Sequence, residues 1–189
     1  MEKSSMVCHP LRPVCILLNV VSAHLYRKQF MSPNLKAPLV KDDTIIRFLD
    51  AVQEQKQITA DPTVSYRVGP FKINPTPHGA VSNKQLMELQ GSATFEVSTA
   101  SEAFTQELSF ELGALCMAML NPLKQEQCFI LGAQVSEVRL DPKSTFFLGT
   151  TIVSFSLGYP VWNTVEFEGT LREVKIKIDS SEPEVDANN

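Results

Sequence analysis

Between Thr94 and Leu120 the chain reads TFEVSTASEAFTQELSFELGALCMAML, and its hydrophobic period changes partway along. Phe95 and Val97 alternate with Thr94, Glu96 and Ser98, as on a half-buried antiparallel strand. Apolar residues then recur at steps of four, four, three and four: Phe104, Leu108, Leu112, Leu115 and Met119. That spacing predicts a helix with a core-facing stripe. Thr99 and Glu102 have the capping-box spacing, so the helix should begin near Ala100, and Asn121-Pro122 should end it. Phe110, Ala114, Met117 and Ala118 lie away from the core face and are apolar as well. A soluble chain hides such a surface either around a reactive pocket or beneath a second protein molecule.

The rest of the chain supplies the sheet. TVSYRVGPFKINP (63–75) puts Val64, Tyr66 and Val68 on one face and is interrupted by Gly69-Pro70. It reads as a kinked edge strand or as two short strands. QLMELQGSATFEVST (85–99) leads into the helix. CFILGAQVSEVRLD (128–141) and STFFLGTTIVSFSLGY (144–159) predict two long antiparallel strands joined by a turn at DPK, and TLREVKIKID (170–179) a last strand. YPVWNTVEFEG (159–169) reads as a loop or weak strand, with Trp162 as a recognition anchor or simple packing over the sheet edge. DDTIIRFLDAVQEQKQ (42–57) carries cap residues, then Ile45, Phe48, Leu49 and Val52 at i, i+3, i+4 and i+7, which predicts a first amphipathic helix.

These elements define an α+β fold: a mainly antiparallel sheet of about five strands with two helices on one face. The expected organisation is an extended N-terminal arm over 1–42, an α+β domain over 43–179 and an acidic disordered tail over 180–189. Within the arm, VCILLNVVSAHLY (14–26) resembles a signal-peptide core, but is too short to span a bilayer. A strand or helix packed on the domain or on a neighbour is the reading adopted, with secretion kept as the alternative.

Composition narrows the function classes. A net charge of −4 argues against a general affinity for nucleic acid, which requires a basic footprint. Cys8, Cys15, Cys116 and Cys128 form no CxxC pair, so free thiols and a reducing compartment are expected. A zinc site from Cys8, His9, Cys15 and His24 has no standard finger spacing. The motifs GxxxxGK[ST], GxGxxG, GxSxG and HExxH are absent. His78, in a proline-rich turn, is a candidate general base whose simpler reading is a solvated turn histidine. Glu107 and Glu111, four apart, read as a solvated or subunit-facing side of the helix. No residue is therefore assigned to catalysis, to a metal or to a cofactor. Phe110, Ala114, Met117, Ala118 and Trp162 are the candidate interface residues, and the surplus apolar surface favours a subunit contact.

A helix like DDTIIRFLDAV, two strands, a long helix like SEAFTQELSFELGALCMAML and a hairpin like FILGAQVSEVRLD with TFFLGTTIVSFSLGY resemble the tail-terminator proteins of tailed bacteriophages and their neck relatives. The resemblance covers roughly residues 43–178 and rests on pattern, with the arm and the strand at 170–178 as departures. It implies a non-enzymatic virion protein, assembled in the host cytoplasm. Its subunits would form a ring, as a hexamer, that caps the tail tube. Its partners would be itself, the tail tube protein and the head-completion or connector protein. DNA would pass through the channel without specific binding, and no membrane is involved. The alternatives are a head–tail adaptor or baseplate subunit, and a small-molecule-binding or enzymatic α+β domain.

Overall fold

The structure, a computed structural model, describes residues 11–41, 43–51, 62–75 and 84–162. The chain is α+β, and its described residues form a mixed sheet of seven strands with three α-helices. The strands are β1 (Arg47–Asp50), β2 (Thr63–Val68), β3 (Lys72–Pro75), β4 (Lys84–Thr99), β5 (Cys128–Val135), β6 (Arg139–Leu140) and β7 (Phe147–Trp162). The helices are α1 (Arg12–Arg27), α2 (Glu102–Ala118) and α3 (Leu120–Gln125).

Two sixteen-residue strands form the spine, β4 antiparallel to β7 from Lys84↔Trp162 to Thr99↔Phe147. On one side β2 and β3 pair with successive stretches of β4, and β1 lies parallel to β2 at the edge. Gly69 has φ +108° and precedes Pro70 in a cis peptide, so the β2–β3 run divides there into two short strands. Beyond β7, β5 and β6 pair with successive stretches of it. The long strand expected over 128–141 is thus two pieces, separated at 136–138. The turn after β6 is set by Asp141, whose carboxylate accepts from Lys143 N and Ser144 Oγ.

The core lies between one face of this sheet and the helices. Val64, Phe95, Val97, Val153 and Phe155 point into it from the strands. Phe104, Leu108, Leu112 and Leu115 meet them from α2, as the helical spacing implies, and Met119 is half-buried. The opposite sheet face bears Ser92, Thr94, Ser98 and Ser154 with Arg67 and Glu96, the polar half of a two-residue alternation.

Three expectations are corrected. The extended arm expected over 1–42 is not what residues 12–40 form; residues 1–10 lie outside the described set. Residues 12–27 are α1, with Pro13 in the first turn and Lys28 closing the helix at φ 52°. Val14, Leu17, Val21 and Leu25 face the core together with Phe30 and Leu35. The physical reason is their near-helical recurrence, which gives a stripe as continuous as that of α2.

The helix expected over 42–57 is replaced, where the chain is described, by β1. Phe48 pairs with Val64 and stacks on Tyr66 at 4.8 Å, while Ile45 is exposed. Ladder bonds and an aromatic stack outcompete a helical stripe that has no buried face to meet. Val52 lies outside the described residues.

The third correction concerns both ends of α2. Ser101, not Thr99, caps it, accepting from Phe104 N, while Thr99 Oγ1 bonds the Thr105 hydroxyl at 2.8 Å. Pro122 does not end the helical run. It sits in the first turn of α3, where no intrahelical N–H is needed.

Candidate functional site

Helix α2 meets the sheet so closely that a Cβ added at Gly149 of β7 would collide with Ser109. This contact is polar and paired. Ser109 Oγ donates to Thr105 O at 2.7 Å and Thr151 Oγ1 to Ser109 O at 2.8 Å. With that flank fixed, the opposite flank of α2 is set by 3.6-residue geometry. Gln106, Phe110, Ala114, Met117 and Ala118 all lie on it and are exposed. Phe110, in the middle of α2, is 55% exposed, and Met117, in its last turn, 39%. The sequence placed Phe110, Ala114, Met117 and Ala118 on one outer face, and the structure brings these four together.

Trp162 is not brought to this face by any described contact. Its backbone closes the ladder opposite Lys84, so 159–162 is the end of a strand rather than a loop.

The flank of α2 runs alongside β5, the end strand of the sheet. Among the described residues no strand pairs with its outer edge. A bulge between Ile130 and Gly132 throws Leu131 outward, 60% exposed, and Phe129 is exposed beside it. Between α2 and the break after β5, an open hollow of about 370 Å³ is lined by Glu102, Gln106, Phe110, Val135, Ser136, Glu137 and Val138. Helix flank, hollow and open edge form one continuous surface. Chemically it offers apolar area, an acidic rim from Glu102 and Glu137, and a strand edge that no described residue pairs.

A second feature escaped sequence reasoning. Glu111, read from its spacing as solvated or subunit-facing, is 3% exposed. It turns inward to the segment that follows α1. Its carboxylate accepts from Met31 N and Ser32 N, the latter at 2.9 Å, and lies 2.8 Å from His24 Nε2. Glu107, one turn earlier and half-buried, accepts from Ser32 Oγ at 2.8 Å and Asn34 Nδ2 at 2.9 Å. The pair fixes the start of the helical turn at Leu35–Leu39 to α2.

Cys116 and Cys128 are buried as small hydrophobes, and Cys15 is exposed. Cys15, Cys116 and Cys128 are free, and burial pushes Cys116 up to about 12 and Cys128 to about 11. Among the described residues no group of three or more His, Cys, Asp or Glu side chains is placed to hold a metal ion. Cys8, His9 and His78 lie outside the described residues. No helix among the described residues is long and apolar enough to cross a membrane. No known protein family matches the chain, and no curated protein matches it either.

Proposed function

We propose that the chain is a structural virion subunit, a tail-terminator or neck protein that closes into a ring on the end of a phage tail tube. The observation that carries the reading is the continuous flank of Phe110, Ala114, Met117 and Ala118 beside the edge of β5, which no strand among the described residues pairs. Apolar helix surface next to unpaired strand edge is the composition of a permanent subunit contact. Repeated head to tail around an axis, one such contact closes into a ring and leaves no free edge.

In this role the chemistry is geometric. The ring seats on the last layer of the tube, covers the edges that would recruit a further subunit, and offers its other side to the head connector. The chain carries a net charge of −4, which suits a channel through which DNA must slide without sticking. Multi-angle light scattering on the purified chain, with negative-stain imaging, tests the proposal. A ring of fixed subunit number is expected. A protein that stays monomeric at tens of micromolar, and does not assemble on added tail tubes, overturns it.

A further inference from the structure

Resting on the ring reading, we propose that the strap following α1 regulates the subunit contact: Met31 extends the apolar flank of α2, and Glu107 and Glu111 are the positioning residues that set it there. The strap is pinned in the core at both ends, where Phe30 and Leu35 are buried. Between them the residues MSPN are tied to α2 through its carboxylates. Met31 N and Ser32 N donate to Glu111, while Ser32 Oγ and Asn34 Nδ2 donate to Glu107. Glu107 and Glu111 stand one turn apart on α2, so the order of these bonds gives a direction. The strap runs antiparallel to α2, with Asn34 at the Glu107 end and Met31 at the Glu111 end.

That direction decides what Met31 stands beside. Glu107, Glu111, Ala114 and Ala118 recur at steps of four, three and four, which makes them one row along the helix. The strap occupies the first two positions, and the last two are exposed. Met31 is therefore the bonded strap residue nearest the uncovered part of the row, and it is itself 48% exposed. On the other side of the two alanines lie Phe110 and Met117. Adaptable apolar side chains thus border a low alanine floor from both sides. A neighbour seated on Phe110 and Met117 covers Met31 within the same contact.

The two carboxylates divide the work. Glu111 is buried and holds the Met31 and Ser32 backbone. Glu107 is half-buried and its donors lie near the surface, so water can replace it at small loss of stability. What Glu107 adds is orientation. Without it the strap turns more freely between its buried ends, and Met31 has several placements instead of one. A neighbour must then order that segment on binding, which weakens association. Linkage makes the effect reciprocal, since a neighbour that covers Met31 also steadies the strap.

Sedimentation equilibrium of the full-length chain tests this, with melts to confirm folding. Met31→Ala should weaken self-association roughly three- to tenfold, as expected for covering a half-exposed methionine, at an unchanged melting temperature. Glu107→Ala should weaken it too, again with little change in melting. In the Met31→Ala background Glu107→Ala should add nothing, because the side chain it places is gone. Amide exchange at Met31 and Ser32 should slow as rising protein concentration drives assembly. An unchanged association in Met31→Ala, additive losses in the double variant, or exchange indifferent to assembly overturns the inference and leaves the ring reading intact. A wild-type chain that does not self-associate overturns both.

Discussion

Removing the Glu111 carboxylate should do more damage than removing a typical core methylene, although Glu111 sits on a helix that already buries four large apolar side chains. In Glu111→Ala the N–H groups of Met31 and Ser32 and the His24 ring lose their acceptor at once. An orphaned, desolvated donor costs about 1–3 kcal/mol. Met31 and Ser32 are near enough to the surface for water to recover part of that loss. The sum is then about 3–5 kcal/mol, a large share of the 5–15 kcal/mol typical of a whole domain. Glu111→Gln keeps one carbonyl acceptor and sets an amide NH₂ against the remaining donors, so it should cost about half as much. His24→Ala removes one contact and leaves both backbone bonds, for about 1–2 kcal/mol. Urea unfolding with linear extrapolation orders the three variants, and amide exchange at Met31 and Ser32 localises the effect. A Glu111→Ala loss under about 1 kcal/mol, or equal losses for Ala and Gln, would refute the reasoning.

Leu112→Ala and Met117→Glu should separate the two faces of α2. The first empties a fully buried site and should cost about 2–5 kcal/mol of stability. The second should keep its melting temperature and lose only the oligomer, as read by sedimentation. Deleting residues 1–40 removes Val14, Leu17, Val21, Leu25, Phe30 and Leu35 from the core, so the product should show no cooperative melt. The buried thiols give a pH dependence of known sign. Cys116 and Cys128 titrate higher in the folded chain than in the unfolded one, so their contribution is complete below the unfolded value of about 8.5. It is lost as pH rises from there through about 11 to about 12, and melts across that window should fall steadily. At pH 8, iodoacetamide should modify exposed Cys15 and spare Cys116 and Cys128 until denaturant is added.

Where one period dominates a long segment, the sequence was readable. Both faces of α2 follow from its steps of three and four, and the alternation of Phe95 and Val97 holds from Ala93 to Thr99 of β4. Segment 42–57 misled because i, i+3, i+4, i+7 describes a helix only if something lies under the stripe. The edge of β2 offered ladder bonds to four residues, and Phe48 found Tyr66. For 14–26 the reading of a packed strand or helix holds, as α1 buries Val14, Leu17, Val21 and Leu25, whereas the extended arm around it does not. Glu111 was beyond any periodicity argument, since hydropathy gives a carboxylate to solvent and only the fold shows that three donors converge on it. The candidate surface was half legible. Helix spacing identified the residues of α2, whereas the adjoining edge of β5 depends on strand order, which local pattern does not encode.

The nested pairing of β4, β7 and β5 also sets the order in which the chain can fold. Leu140 meets Phe147 across a tight turn, β5 then meets β7 over a longer loop, and β4 closes on β7 across everything between Thr99 and Phe147. Each doubling of loop length adds about 0.6 kcal/mol of closure entropy, so the turn-proximal rungs form at least loss and bring the distant ones closer. Zippering outward from the Asp141 turn reaches Lys84 and Trp162 last. A sheet so dependent on distant partners belongs among slow folders, on the order of milliseconds to seconds. The outer edge of β5 is therefore in place early, before the spine beside it is complete. During that interval a nascent chain presents a pairing edge to whatever is nearest, and the concentration of its own kind decides between assembly and aggregation.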